Sequence, residues 1–250
     1  SFHDALIESD IALYEATGAG RNRIVLFEDW MRQVMDRRSE TEAMIDSALE
    51  GQRFEPHFQP QIDMRTGRLI GLEVLARLKT EDDGETLTPD RFISVAERTG
   101  QIVPLGKQII EKALAHAIRW QDADAPLAKL SVNASASQIL DEDFLPFLTN
   151  LLEATGYPAE KLTIEVLESV MLDGVDTGIV KAVERLRELG ITIELDDFGM
   201  GHTSIANVTS LGANRIKIDR SFVITAIDDD RTRIVLQAMI AKADDMKIEE

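Results

Sequence analysis

Two adjacent carboxylates, Asp196 and Asp197, follow an apolar run at residues 191–195 and precede Gly199. Within a strand the two side chains would point to opposite faces, but at a strand end, where the backbone turns, both can converge on one site. Like charges at that distance repel and raise one another's pKa unless a cation compensates them. The pair therefore predicts a divalent-cation site. Turn formation is the alternative, because Asp side chains also accept hydrogen bonds from backbone amides in turns.

The same arrangement recurs in other apolar runs. Glu73, Asn133 and Glu165 are isolated polar side chains at or near the C-terminal ends of three such runs, and a further run at residues 214–219 contributes Lys217. An unpaired carboxylate buried in an apolar strand is costly, so the Glu73 position favours a ligand role. Asn133 taken alone is equally typical of a turn. Lys217, between two isoleucines, is by default a solvent-facing strand residue.

Composition narrows the chemistry that these residues can do. The 250-residue chain has no cysteine, which excludes disulfides, thiolate zinc sites and cysteine nucleophiles. Carboxylate and amide oxygens favour Mg²⁺ or Mn²⁺ over zinc. The formal charge of -18 argues against general binding of DNA or RNA, although an anionic substrate stays possible because bound cations reverse the local charge.

The hydropathy pattern gives an expectation about location. No run approaches the roughly 18 apolar residues of a membrane span, and the chain does not begin with a signal pattern. We therefore expect a soluble, cytoplasmic segment without membrane contact. Tethering of a longer protein to a membrane is left open.

Secondary-structure patterns indicate which elements must position the polar residues. From about residue 54, short β-branched runs alternate with longer amphipathic stretches, which is typical of an α/β fold. Helices are predicted over 105–120 and 173–189 from their apolar spacing. Asn133, Glu165 and Asp196 follow one another at intervals of roughly 30 residues, the length of a βα repeat. This spacing predicts a (β/α) barrel with its active site at the C-terminal strand ends. The predicted strands are 54–62, 69–78, 128–133, 161–166, 191–196, 214–218 and 246–248.

The first 50 residues do not fit the barrel pattern. We interpret residues 1–30 as the remnant of a preceding α/β domain, with a helix at 5–16 and a short strand at 24–27. Residues 31–50 are helix-prone and highly charged, and they are predicted to form a linker helix. Residues 51–250 then form the barrel.

Several motifs, from about residue 50 to the chain end, resemble the EAL-domain phosphodiesterases, which hydrolyse the bacterial second messenger cyclic di-GMP. The name-giving Glu-Ala-Leu is present as Glu73-Val74-Leu75, with the family's arginine at Arg77 and its Gln-Pro at Gln59-Pro60. Residues 9–23 are similar to the end of a GGDEF domain, the diguanylate-cyclase fold, without its catalytic signature. The other matching motifs are Thr88-Pro89-Asp90-Arg91-Phe92, Val132-Asn133-Ala134-Ser135, Glu165-Val166-Leu167-Glu168-Ser169, Asp196-Asp197-Phe198-Gly199 and Lys217-Ile218-Asp219-Arg220-Ser221-Phe222.

The resemblance implies a TIM-type (β/α)8 barrel with two Mg²⁺ or Mn²⁺ ions. Glu73, Asn133, Glu165 and Asp196 would hold one ion, and Asp196 would bridge to a second that Asp197 also binds. A two-metal site suits phosphodiester hydrolysis, because it supplies a nucleophile from water and compensates charge on the phosphoryl oxygens.

The resemblance also implies roles for four further residues. Lys217 would orient and help activate the attacking water. Glu168 would steady the loop at residues 199–204, which the family couples to dimerisation. Gln59 and Arg77 would contact the substrate, and the planar donors of a guanidinium suit a phosphate.

The expected function is metal-dependent hydrolysis of cyclic di-GMP to linear pGpG. The alternative is a non-catalytic cyclic di-GMP receptor, but degenerate members of that kind typically lose metal ligands, and the internal ligands are present here. A phosphodiesterase for another nucleotide rests only on generic two-metal chemistry. Expected partners are a second copy of the chain and an upstream GGDEF or sensor domain. The family's late metal-binding glutamate aligns securely with neither Glu249 nor Glu250, so we expect the barrel to be incomplete at its C-terminal end.

Overall fold

The computed structural model describes residues 2–18, 20, 22–80, 85–122, 129–171, 177–199 and 205–245. The strands are β1 (Phe54–Ile62), β2 (Leu69–Lys79), β3 (Thr86–Leu87), β4 (Lys129–Asn133), β5 (Leu162–Leu167), β6 (Thr192–Phe198) and β7 (Arg215–Ile218). The helices are α1 (Phe2–Gly18), α2 (Asp29–Glu50), α3 (Ile93–Thr99), α4 (Ile102–Asp122), α5 (Ala136–Ile139), α6 (Phe144–Thr155), α7 (Thr177–Glu188), α8 (Ile205–Leu211), α9 (Arg220–Asp228) and α10 (Asp230–Asp245).

One sheet connects all the described strands. Its order is β1-β2-β4-β5-β6-β7, with the short β3 paired to β2. The pairs from β2 through β7 along this path are parallel and are linked by helices. This topology confirms the predicted α/β class. The strand predicted at 246–248 lies outside the described residues.

The first pair departs from the parallel pattern, because β1 and β2 form an antiparallel hairpin. Their connection is short, whereas a parallel pair needs a crossover of a dozen or more residues. The Asp63 carboxylate closes the connection by accepting hydrogen bonds from the backbone amides of Arg65 and Thr66, both at 2.8 Å. The sequence pattern placed both strands but did not predict their direction.

The sheet is held by an apolar layer between its outward face and the helices. Val132, Ile164, Ile193, Leu195 and Ile216 lie in this layer and are between 0% and 2% exposed. They alternate along their strands with polar residues of the opposite face, as the period of two requires. The outward positions therefore form the core, and the polar positions are left to face inward.

Helix α4 covers the sheet beside β1, and α7 packs beside β6. The sequence predicted α4 over 105–120, and the structure extends it at both ends. Helix α7 ends at Glu188, and Gly190 adopts φ 91°, which the residue beyond a helix commonly requires. The backbone amide of Gly190 donates to the carbonyl of Arg187 at 2.9 Å. The start predicted for this helix, at 173–176, lies outside the described residues.

The N-terminal segment consists of two helices joined by an irregular stretch. Ion pairs connect α1 to α2, from Arg32 to Glu8 at 3.1 Å and from Arg38 to Glu15 at 3.3 Å. The predicted strand at 24–27 is wrong, because these residues form no strand in the described structure. An apolar β-branched run becomes a strand only where another strand offers a hydrogen-bonding edge, and Ile24 is 95% exposed here.

A close helix contact lies beside the end of β4. Gln138 and Ser135 form a capping box at α5, in which the backbone amide of Ser135 donates to Gln138 Oε1 at 2.8 Å. Gly106 of α4 faces this side chain so closely that a Cβ there would lie 1.8 Å from Gln138 Nε2. Only glycine fits at position 106 while Gln138 keeps this position.

In the described part of the chain, no helix is long and apolar enough to span a membrane.

Candidate active site

Four strands bring three carboxylates around one ammonium group. Lys217 Nζ lies 3.2 Å from Glu73 Oε2, 2.9 Å from Glu165 Oε2 and 3.2 Å from Asp196 Oδ2. The lysine side chain does not face outward into solvent, which was its default interpretation from sequence. Four residues from β2, β5, β6 and β7, far apart in sequence, therefore form one charged cluster on the inward face of the sheet.

The donor set of this cluster fits a divalent cation. Glu73, Glu165 and Asp196 each offer one carboxylate oxygen, and these oxygens lie within 4.8 Å of one another. Glu165 Oε1 is buried and has no hydrogen-bond partner among the described residues, so it is an acceptor available to a cation. Asn133 Nδ2 lies 3.4 Å from Glu73 Oε1, which places the fourth predicted ligand beside the first. Hard oxygen donors of this kind suit Mg²⁺ or Mn²⁺.

Burial disfavours the ionised form of the Glu165 carboxylate. It is 1% exposed, and burial is the main reason that its pKa rises to about 8. The negative charge of Glu73 raises this pKa further, while the ammonium of Lys217 opposes the shift. A single ammonium therefore does not fully compensate the carboxylates, and additional positive charge would stabilise their ionised forms.

Lys217 remains a cation at neutral pH. Burial by itself lowers its pKa, but the attraction of Glu165, Asp196 and Glu73 outweighs burial, so the net shift is upward. The side chain donates hydrogen bonds to Glu165 and Glu73. A protonated lysine can orient a water molecule or a phosphate oxygen by donation, but it cannot take up a proton.

The Asp196-Asp197 pair sits in a strained turn. Asp197 has φ 55°, and its backbone amide donates to Asp196 Oδ1 at 2.9 Å, so the pair does form a turn, while its role as a pair of metal ligands stays a prediction. The β6–β7 register shifts between Leu195 and Phe198, and an irregularity of this kind re-aims side chains. Burial and the charge of Asp196 raise the pKa of Asp197. Asp197 is exposed and does not join the three-carboxylate cluster in the described structure.

Glu168 links the end of β5 to the turn after the Asp pair. It is 4% exposed, and its Oε2 accepts a hydrogen bond from the backbone amide of Gly199 at 3.0 Å. This contact fixes the first residue of the loop that Glu168 was expected to steady. Residues 200–204 lie outside the described residues.

Gln59 and Arg77 lie on the β1–β2 hairpin, on the same face of the sheet as the cluster. Gln59 is the register partner of Glu73, and Arg77 is four residues beyond Glu73, so alternation places both on the face of Glu73. Arg77 is half-buried, and its Nη1 donates to the carbonyl of Ala76 at 2.8 Å. Both side chains therefore lie on the same face of the sheet as the cluster, and substrate contact stays a prediction.

One buried charged pair was not predicted from the sequence. Arg215 Nη1 lies 3.5 Å from Glu194 Oε2, and Glu194 is 3% exposed. Burial raises the pKa of Glu194 against the attraction of Arg215. The available signal was spacing: Glu194 and Arg215 each precede a cluster residue, Asp196 and Lys217, by two positions, which places them on the same inward face.

The comparisons assign the chain to a family. The family model for the EAL domain matches residues 42–249, so the chain belongs to the EAL-domain family. The chain is 31% identical over 242 residues to the signaling protein YkoW of Bacillus subtilis (strain 168), which covers 97% of this chain and 30% of YkoW. It is 30% identical over 239 residues to the bifunctional diguanylate cyclase/cyclic di-GMP phosphodiesterase MucR of Pseudomonas aeruginosa, covering 96% of this chain and 35% of MucR.

A solved structure gives the same picture of the fold. The complex of the PaMucR phosphodiesterase with c-di-GMP superposes with a TM-score of 0.75 at 29% identity, covering 84% of each chain. EAL domains are TIM-type barrels, so this likeness confirms the predicted barrel class. EAL domains are also metal-dependent, and the carboxylate cluster fits that requirement. The chain spans 30% and 35% of the lengths of YkoW and MucR, about a third of either curated relative.

Proposed function

We propose that this chain is a cyclic di-GMP phosphodiesterase that hydrolyses its substrate to linear pGpG. In this reaction a water oxygen bonds to one phosphorus, the bond from that phosphorus to the 3′ oxygen breaks, and the 3′ oxygen takes up a proton. The carrying observation is the convergence of Glu73, Glu165 and Asp196 on one point, with a buried Glu165 oxygen that lacks a partner in the described structure.

The candidate ligands divide between two ion positions. Glu73, Asn133, Glu165 and Asp196 would hold one Mg²⁺ or Mn²⁺, and Asp197 with Asp196 would hold a second. Such ions lower the pKa of a bound water and neutralise charge on phosphoryl oxygens. The raised pKa of Asp197 supports the second position, because a carboxylate crowded by other negative charges gains most from a nearby cation.

Three side chains would act on the water and the substrate. Lys217, held as an ammonium by its carboxylate neighbours, would orient the attacking water by donating a hydrogen bond. Arg77 would bind a phosphate of the dinucleotide with its planar donors, and Gln59 would contact the substrate from the neighbouring strand. Glu168 would hold the turn after Asp197 in place through Gly199.

The relatives support the substrate assignment. MucR carries the phosphodiesterase activity in its name, and the solved PaMucR structure holds c-di-GMP. A non-catalytic receptor for the same dinucleotide is the second candidate. The presence of Glu73, Glu165 and Asp196 around one point, with Glu165 buried, favours the enzyme, because a receptor has no need to crowd carboxylates at the cost of stability.

The arrangement of the longer protein is also a proposal. Residues 1–30 are proposed as the end of a preceding GGDEF-like domain and residues 31–50 as a linker helix, although the EAL match begins at residue 42 and so includes the end of that helix. A homodimer is proposed on the family resemblance. Size measurement by light scattering, with and without cyclic di-GMP, would test it.

Hydrolysis of cyclic di-GMP tests the proposed function directly. With Mg²⁺ or Mn²⁺ supplied, we expect pGpG to appear on chromatography, and Glu73→Ala to slow its formation by about 1,000-fold, as the loss of an electrostatic group at a reacting centre does. Glu160→Ala is the matched control, because this exposed glutamate lies at the opposite end of β5 and its loss should leave the rate unchanged. Binding of cyclic di-GMP without turnover by the wild type would instead support the receptor.

A further inference from the structure

We infer that Glu194 and Arg215 are paired positioning residues that set the cation affinity of the site with opposite signs. Glu194 strengthens cation binding, and Arg215 restrains it. This inference rests on the proposed function, because it takes the carboxylate cluster to be the cation site. It assigns a function to a pair that touches neither the substrate nor the ion.

Strand register places the pair directly beside the candidate ligands. Asn133, Glu165, Glu194 and Arg215 are successive register partners across β4, β5, β6 and β7. Neighbouring strands lie about 5 Å apart. Glu194 therefore stands one strand from the Glu165 ligand on one side and one strand from the Arg215 guanidinium on the other.

Chain connectivity ties the pair to the cluster a second time. Glu194 precedes Asp196 by two residues in β6, and Arg215 precedes Lys217 by two residues in β7. The pair at 3.5 Å joins these two strands immediately below the cluster. A change in the pair would thus act on the backbone that carries one candidate ligand and the central ammonium.

The burial of the pair makes its charges effective. The Glu194 side chain is 4% exposed and that of Arg215 is 20% exposed, so solvent screens them only weakly. Glu194 Oε1 and Glu165 Oε1 are both buried without a hydrogen-bond partner among the described residues. These two oxygens belong to adjacent register partners, so an ionised Glu194 would add negative charge beside the candidate cation site.

The charge of the Glu194–Arg215 pair argues against a purely structural role. Buried ion pairs are commonly no more stabilising than apolar side chains of similar volume. The same strands have apolar residues on their outward face. Two apolar side chains at positions 194 and 215 would therefore also be compatible with the fold. A charged pair instead supplies one negative and one positive charge at a fixed distance from the cluster.

Substitutions of Glu194 and of Arg215 should change the Mn²⁺ affinity in opposite directions. In Glu194→Gln the Arg215 charge is left beside the site, and Mn²⁺ binding should weaken by at least about tenfold, which is a lower limit from Coulomb's law for a divalent ion about 8 Å from a unit charge. In Arg215→Gln the Glu194 carboxylate is left, and Mn²⁺ binding should tighten. The double variant should return to within about threefold of the wild type.

Isothermal titration of metal-stripped protein with Mn²⁺, beside thermal unfolding of each variant, makes the test. Arg215→Lys retains the charge and should keep the wild-type affinity, which also covers the case in which Arg215→Gln does not fold. Lys107→Met is the matched control, since it breaks an ion pair at 3.1 Å between α4 and Asp141, which follows α5, and should leave Mn²⁺ affinity unchanged.

Two results would overturn the inference. One is weaker Mn²⁺ binding in both Glu194→Gln and Arg215→Gln, which indicates a structural pair; the other is loss of affinity in Arg215→Lys. Failure of the proposed function looks different. If the wild type binds no Mn²⁺, the cation site itself is refuted, and if opposite shifts occur without hydrolysis, the inference stands while the enzyme assignment does not.

Discussion

The two faces of the same strands have opposite chemistry. On the outward face Ile164 and Ile193 are fully buried against helices, and each such side chain stabilises the fold by about 1.5–3 kcal/mol relative to exposure. On the inward face Glu165 and Glu194, their sequence neighbours, are almost as buried but have ionisable carboxyl groups. Burial thus stabilises the protein on one face and stores unfavourable interactions on the other. A period of two residues is enough to separate folding from function in this sheet.

Truncation on the outward face should separate stability from chemistry. Ile164→Ala is expected to lower the free energy of unfolding by about 2–5 kcal/mol, because it leaves a cavity between β5 and the helices. The kcat of the folded fraction should stay near that of the wild type. Urea unfolding and initial-rate assays below the unfolding transition measure the two effects. Ile70→Ala, at a residue 52% exposed, is the control and should change stability little. A large fall in kcat with unchanged stability would contradict the division between the faces.

The stability of the protein should depend on pH through the raised pKa of Glu165 on the inward face. Without metal, the folded chain keeps a proton on Glu165 up to about pH 8, whereas the unfolded chain loses it near the ordinary pKa of 4.5. Stability from this group is therefore greatest at low pH and falls as pH rises between these two values, because the folded state binds more protons there. Above the folded pKa the contribution no longer changes.

Glu165→Gln should remove this part of the slope. Urea unfolding in chelator at several pH values between the two pKa values would measure it, with Glu160→Gln as the exposed control. We expect the control to keep the wild-type slope. Equal slopes in the wild type and Glu165→Gln would show that Glu165 is ionised in the folded chain throughout this range.

The smallest expected effect concerns a single hydroxyl on the inward face. Thr163 Oγ1 is buried and has no hydrogen-bond partner in the described part of the chain. Thr163→Val keeps the shape and removes the unpaired polar atom, so stability should rise by about 1 kcal/mol. Ile193→Val, on the outward face, should lower stability by about 0.5–1.5 kcal/mol. Denaturant midpoints decide the signs, and a destabilising Thr163→Val would show that its hydroxyl is satisfied.

The elements that the sequence predicted well are those with strong local signals. The strands around Asn133, Glu165 and Asp196 are apolar runs with sharp ends, and Gly190 marks a helix end by its backbone freedom. The two-residue β3 was missed because it exists only as a partner of the end of β2. The strand predicted at 24–27 failed for the converse reason, since its apolar residues meet no strand in the described structure.

The candidate site was predictable where a polar residue interrupts an apolar run. Glu73, Glu165, Asp196 and Lys217 were singled out in this way, and the structure brings them together. Glu194 was not predicted, because it lies one residue before the end of its apolar run. Its relation to the site depends on its neighbours in adjacent strands, which the sequence does not show. The left-handed backbone conformation of Asp197 could not be predicted from the sequence pattern either, because it depends on an irregular register with β7.

The contact between Gly106 and Gln138 has an evolutionary consequence. A methyl group at position 106 would overlap the amide of Gln138, so a larger residue there requires this side chain to shift or to be replaced. Homologous chains that carry a larger residue at 106 should also carry a shorter one at 138, and they should then lose the capping box that begins α5 two residues after Asn133. Covariation between a helix on the outer layer and the turn beside a candidate ligand would thus record a packing constraint and not a shared catalytic task.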